Sequence, residues 1–210
     1  DGTDSLTSVE TLAFADGQRL EVSDDNDGEI EVNTYVSGTQ YTPSVTGLAG
    51  GKYVVTWADS SGHDGGSSYD IRAQLFNETG SLIGDEFRVN TFTHNDQVNA
   101  SVDKLAGGGY VVVWQSYNQD DDGSYYNTYG QLYTNGGEAL GEEFRVNTDT
   151  HNHQSEPSVT GLSDGSFVVT WESNSSQDTD DTSGYGIIGQ RFDGNAQILG
   201  DAFTVNSYTS

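Results

Sequence analysis

An all-β fold of three repeated units, each of four antiparallel strands, is what this sequence predicts, and three observations predict it. Trp57, Trp114 and Trp171 recur at a constant step of 57 residues, and Leu48, Leu105 and Leu162 keep that step, as a repeated supersecondary unit does when it buries its apolar faces against neighbouring copies. The 27 glycines are spread along the 210 residues instead of forming a linker, which suits short strands joined by tight turns. Apolar residues make up 32% of the chain and aromatic residues 11%, enough to fill a core and too much for a disordered chain.

Taken in order, Asp1 to Gly17 carries Leu6, Val9, Leu12 and Phe14 at the spacing of a short turn followed by a strand, so residues 1–27 are expected to form an N-terminal cap. Ser23-Asp24-Asp25-Asn26-Asp27-Gly28 follows as a polar boundary. It is either a plain linker or a cation-binding turn, because alternate acidic and amide oxygens precede a glycine. Residues 28–206 then form the repeat domain, with units at about 34–90, 91–147 and 148–206.

Each unit parses into four strands. Pro157 to Leu162 and Ser166 to Trp171 are the first two, with copies at Pro43 to Trp57 and Ala100 to Trp114. Phe167-Val168-Val169-Thr170-Trp171 is apolar on both faces and suits a strand sandwiched between layers. Tyr69 to Phe76, Tyr126 to Tyr133 and Tyr185 to Phe192 alternate bulky residues and form the third strand. The fourth closes on Asn90, Asn147 and Asn206. Its motif appears a further time at Glu29-Ile30-Glu31-Val32-Asn33, a surplus edge strand expected either to complete the third repeat within the chain or to pair with a neighbour.

Four antiparallel strands per unit, with a crossing from the outermost strand to the next innermost one, is the layout of a β-propeller blade. A β-trefoil-like threefold arrangement is the alternative. Three blades must close tightly, associate with another chain or belong to a longer array.

Seven basic residues stand against 33 acidic ones, a formal charge of −26, and such a field repels nucleic acid phosphates and anionic lipid. Nucleic acid is thereby excluded as a partner. The longest apolar runs are a few residues long, so no membrane insertion is expected, and any export signal is expected outside this sequence. Without cysteine there is no disulfide, thiolate metal site or cysteine nucleophile.

The excess carboxylates gather in the loops that follow each Trp. Asp64 lies in the first, Asp120, Asp121 and Asp122 in the second, and Asp178, Asp180 and Asp181 in the third. Adjacent carboxylates repel unless hydrated or bridged by a cation, and calcium takes six to eight oxygens from such flexible turns. These seven residues are the candidate metal ligands, with calcium as the cofactor. A solvated acidic turn is the plainer reading.

Other candidates have plainer roles. The three Trp residues are expected in the core, with a sugar-stacking platform as the alternative. The recurring Gln and Asn residues are expected to satisfy backbone groups at turns. His94, His151 and His153 are expected as exposed turn residues, since two imidazoles make no zinc site without a third ligand. No Ser-His-Asp arrangement or distinct carboxylate pair points to catalysis, so the chain is not expected to be an enzyme.

Two stretches resemble a known family. Gly2, Thr3, Asp4, Leu6, Val9, Glu10, Leu12, Phe14, Ala15, Asp16 and Gly17 resemble the segment that closes calcium-binding blocks in secreted bacterial RTX proteins. The Gly-Asp nonapeptides of those blocks are absent, so their calcium sites are carried to no residue here. The repeats themselves, Glu143 to Gly200 above all, are similar to repeats of very large RTX-type adhesins. The resemblance implies an extracellular or cell-surface location and an adhesive or structural role. A calcium-associated module that holds a glycan or surface through the acidic loops is therefore expected. A self-associating structural repeat and a non-catalytic part of a secreted polysaccharide-active enzyme are the alternatives.

Overall fold

The computed structural model describes residues 12–13, 19–20, 30–63, 65–66, 68–120, 126–175 and 184–206. They fall into two units, Asp1–Glu31 and Val32–Ser210. In the first, β1 (Leu12–Ala13) pairs antiparallel with β2 (Arg19–Leu20), with Leu12 opposite Leu20.

The second unit is built of three sheets, and each is a meander of sequence-adjacent strands. Blade 1 runs β3 (Gln40–Gly47), β4 (Tyr53–Asp59), β5 (Asp70–Phe76) and β6 (Leu82–Arg88). Blade 2 runs β7 (Gln97–Lys104), β8 (Tyr110–Tyr117), β9 (Tyr126–Tyr133) and β10 (Ala139–Arg145). Blade 3 runs β11 (Gln154–Gly161), β12 (Phe167–Ser173), β13 (Gly186–Phe192) and β14 (Phe203–Thr204). Among the described residues there is no α-helix, only one three-residue 3-10 turn, Ala49–Gly51. Among the described residues each repeat forms its own sheet, and no strand of one repeat ladders onto a strand of another. The trefoil-like alternative is corrected by that pairing.

Core burial follows the Val-rich second strands. Val54, Ala58, Ile71, Ala73 and Leu75 of blade 1 pack on Val98, Val102, Val112, Trp114 and Tyr133 of blade 2. On the other face of blade 2, Val111, Val113, Leu132 and Val146 pack on Val159, Phe167, Val169, Trp171 and Phe192 of blade 3. Successive residues of β8 thus serve opposite interfaces, which is why its pattern shows no alternation. Each blade also carries an aromatic pair across its second and third strands: Tyr53–Phe76, Tyr110–Tyr133 and Phe167–Phe192, with ring centroids 4.9, 5.1 and 5.1 Å apart. The outer-strand Phe of one blade rests on the pair of the next, Phe87 against Tyr133 and Phe144 against Phe192.

The inner strands are latched by side chains. Ser44 Oγ accepts the Val102 amide and Ser101 Oγ accepts the Val159 amide, both at 3.2 Å. Asp103, in the middle blade, accepts Thr46 Oγ1 at 2.9 Å through one oxygen and the Gly161 amide at 2.9 Å through the other. Strand β7 packs against both β3 and β11, while β3 and β11 share no comparable contact among the described residues. The three blades therefore form an open arc, and the tight closed ring is not what the chain adopts.

Completion of the third repeat by the surplus strand motif is corrected as well. Residues 30–33 form no strand, Glu29 lies outside the described residues, and blade 3 supplies its own outer strand, β14. Val32 instead packs on Val55, Trp57 and Phe76, covering the first face of blade 1. Thr34 then donates to Glu86 as Thr91 donates to Glu143 one repeat later. The segment thus reproduces the crossing seen between blades 1 and 2.

The outward face of blade 3 is different in chemistry. Along β12 buried residues alternate with half-exposed ones. Glu172 stands where blade 1 has Ala58, and Arg191, paired with Asp164 at 2.5 Å, stands where the other blades have Leu75 and Leu132.

Candidate functional site

Polar residues that recur are structural. Asn90, Asn147 and Asn206 each accept a third-strand amide through Oδ1, from Ile71, Thr128 and Ile187 at 2.7, 2.8 and 2.7 Å. Gln74 and Gln131 each turn Nε2 onto three carbonyls at the bulge between the third and fourth strands. Trp57, Trp114 and Trp171 are 3%, 0% and 2% exposed, so they are core residues and not sugar platforms.

Of the seven candidate metal ligands only Asp120 is described. Its Oδ2 pairs with Arg145 Nη1 at 3.0 Å and receives Asn127 Nδ2 at 3.4 Å. Asp64, Asp121, Asp122, Asp178, Asp180 and Asp181 lie outside the described residues, as does the Ser23 to Gly28 boundary. Among the described residues no three His, Asp or Glu side chains gather as a metal would need. His94 tilts against Phe92. His151 Nδ1 lies 2.6 Å from Asp149 Oδ1. Burial works to raise the Asp149 carboxyl, but hydrogen bonds from Ser175 and His151 hold it below its ordinary value. His153 is pushed down by burial, so it is neutral at pH 7 and packs against the ring of Tyr126 at 5.5 Å.

What does gather lies at the end of the arc where the acidic loops emerge. There the inner strands begin, the second strands end and the third strands begin, so side chains far apart in sequence are brought together from all three blades. Tyr41 meets Tyr69 edge to face at 5.0 Å, and Tyr126 meets Tyr117 at 5.1 Å. Burial pushes the Tyr41 phenol to about 12, with Tyr69, Asp96, Tyr126 and Glu156 adding to the rise. Asp96 accepts Ser68 Oγ, and Glu156 Oε1 accepts Asn99 Nδ2 at 2.7 Å. All five aromatic and histidine rings here are half-buried, with an edge left to solvent.

Backbone strain sits beneath them. Thr42, Asn99 and Glu156, one in each inner strand, have φ of 49°, 56° and 52° at a register bulge. A β-branched Thr in the left-handed region is a genuine outlier, and strain of this kind collects at functional sites. Half-buried aromatic rings beside hydrogen-bonded carboxylates can stack on an apolar ring face and accept hydroxyl protons.

The tyrosines make stability depend on alkaline pH. Burial raises the phenols of Tyr110 and Tyr133 beyond the ordinary range, helped at Tyr110 by Tyr133 and at Tyr133 by Glu143, and Tyr41 is raised to about 12. A folded pKa above the unfolded one keeps its full contribution below the unfolded value of about 10 and loses it as pH climbs through the folded value. The melting temperature is expected to hold to about pH 10 and to fall steeply between there and about pH 12. Calorimetry across that window checks it, and an unchanged midpoint at its upper end would refute it.

No protein-family model and no curated protein matches the chain. Among solved structures it is similar to an α-L-arabinofuranosidase from Lactobacillus brevis, at 14% identity and a TM-score of 0.51, over 79% of this chain and 54% of that one. It is similar too to a xylan β-1,4-xylosidase from Bacillus halodurans C-125, at 15% identity and a TM-score of 0.53, over 91% of this chain and 35% of that one. The chain thus spans about half of the first of these structures and about a third of the second. Their folds are of the five-bladed β-propeller type, and the three sheets described above are β-propeller-like blades.

Proposed function

We propose that the chain is a non-catalytic, extracellular glycan- or surface-binding module whose contact surface is the loop end of the arc. The observation that carries this reading is the joining of Tyr41, Tyr69 and Tyr126 with Asp96 and Glu156 at the end from which the acidic loops emerge. Aromatic rings offer sugar rings an apolar face, and fixed carboxylates accept their hydroxyls. The propeller-like fold, carried by carbohydrate-acting enzymes in the two structures named above, supports the same chemistry. Asp96 and Glu156 are held in hydrogen bonds from Ser68 and Asn99, which suits fixed acceptors. Calcium bound in the post-Trp loops would order them beside this surface and offset the charge of −26.

A glycan array probed with the full chain, with calcium and with chelator, tests the proposal. Binding to at least one glycan class is expected. It should weaken by about tenfold or more in Tyr126→Ala, the size of a lost stacking contact, and fall when calcium is chelated. Absence of binding to every glycan, or binding untouched by Tyr126→Ala, would overturn the site. Binding indifferent to chelation would remove calcium from it.

A further inference from the structure

The two contacts between blades are built from the same parts. In each, a serine of the inner strand takes an amide of the next blade, Ser44 from Val102 and Ser101 from Val159, both at 3.2 Å. The valine so held is buried, Val102 at 6% and Val159 at 8% exposed. In the second contact Gln115 Oε1 also accepts the Glu156 amide at 2.9 Å. The outer-strand Phe lies over its own sheet and reaches the aromatic pair of the next, as Phe144 does between Gly130 and Phe192.

Blades 1 and 3 each carry one half of this equipment on the face turned away from blade 2. On blade 3, Ser158 repeats Ser44 and Ser101 and is exposed, and Glu172, half-exposed, repeats Gln115 as an acceptor. Phe203 lies over Gly189 as Phe144 lies over Gly130, yet it is 48% exposed. Val205 is 53% exposed where its counterparts Val89 and Val146 are buried. On blade 1, Val45 repeats Val102 and Val159 but is 63% exposed. Thr42, the counterpart of Glu156, is exposed too, and Tyr53 is only half-buried where Tyr110 and Phe167 are fully buried. Blade 3 thus offers the acceptors and the Phe, and blade 1 offers the amides and the aromatic seat, at the places where neighbouring blades of one chain already join.

We propose that the chain associates head to tail with a second copy of itself, the outward face of blade 3 in one copy seated on the first face of blade 1 in the other. Ser158 Oγ then takes the Val45 amide, Glu172 takes the Thr42 amide, and Phe203 rests on the Tyr53–Phe76 pair. Arg191 brings its own counter-ion, Asp164. Val32 holds on blade 1 the place that Val89 and Val146 hold in the later clusters, so Val205 of the incoming copy replaces one valine by another there. Displacing that segment opposes joining, as does repulsion between two chains of charge −26. The contact is therefore concentration-dependent and tightens with salt. Because the two surfaces differ, further copies add in the same sense unless the rotation closes a ring.

Sedimentation velocity of the full chain from micromolar to millimolar concentration, at low and at high salt, tests the proposal. The mean mass is expected to rise with concentration, and more steeply at high salt. Val45→Glu and Ser158→Glu, both at exposed positions, should each weaken association by about tenfold or more while the far-UV spectrum stays that of the parent. Mixed in equal amounts the two variants should pair again, since one keeps an intact blade 3 face and the other an intact blade 1 face. A chain that stays monomeric throughout overturns the proposal, as does association untouched by either variant. Association lost in Ser158→Glu but kept in Val45→Glu would place blade 3 on blade 3 and overturn it too, and so would a mixture that fails to pair.

Discussion

Trp114→Ala is expected to destabilise the chain by about 3–5 kcal/mol, the range for a large aromatic removed from a close-packed core. Trp114 is fully buried in the cluster that joins blades 1 and 2, so the cavity would open between two sheets that cannot readily collapse onto it. Against a total stability of about 5–15 kcal/mol this is a large fraction. Trp57→Ala removes the same side chain from a much smaller cluster, where a crossing segment with Val32 provides the cover. Its cost should be smaller because that segment can follow the shrinking side chain. Urea unfolding of both variants checks the order, and an equal or larger loss for Trp57→Ala would refute the account of the interfaces.

Gly161→Ala carries the second large effect. A Cβ at Gly161 would stand 2.0 Å from the Lys104 carbonyl oxygen and 3.1 Å from its carbon, and backbone atoms of a neighbouring strand have little room to give. The Gly161 amide also holds Asp103 across the interface at 2.9 Å, so any shift that relieves the clash strains the latch. Overpacking of this kind costs about 1–3 kcal/mol. Gly47 is the matched control, since it occupies the same place in blade 1 and a Cβ there meets nothing within 4 Å. Thermal melts should show a clear loss for Gly161→Ala and almost none for Gly47→Ala. Similar losses in both would show that flexibility of glycine, and not the contact between blades, is what matters.

Much of the scaffold is legible in the sequence because it depends on local rules that recur. The step between Trp57, Trp114 and Trp171 marks the blades. The Val-rich runs mark strands buried on both faces, and the recurring Gln and Asn residues mark places where backbone groups need partners. The opening of the arc is not legible, because it depends on how β3, β7 and β11 are angled, and identical units carry no record of that angle. Nor is the fate of Ile30 to Asn33, whose pattern is that of a strand but which join no sheet among the described residues. The loop-end site escaped sequence reasoning for a different reason. Tyr69 and Tyr126 recur at the opening of the third strand, but Tyr41, Asp96 and Glu156 share no motif with them, and a bulge with positive φ at Thr42, Asn99 and Glu156 lies in the inner strands beside them. A Thr or Glu with positive φ announces itself in no pattern.

The polar back of blade 3 has a consequence for the order in which the domain can be built. Every strand pairs with its sequence neighbour, so each sheet can close early, and folding of a repeat array can start in one unit and propagate to the next. A chain that had completed only blades 1 and 2 would present Val111, Val113, Leu132 and Val146 to water, an apolar face of the kind that makes partly folded species aggregate. Blade 3 removes that hazard by covering the face with Phe167, Val169 and Trp171 while turning Glu172 and Arg191 outward. Its arrival is thus the step at which this face of the folding intermediate is withdrawn from water.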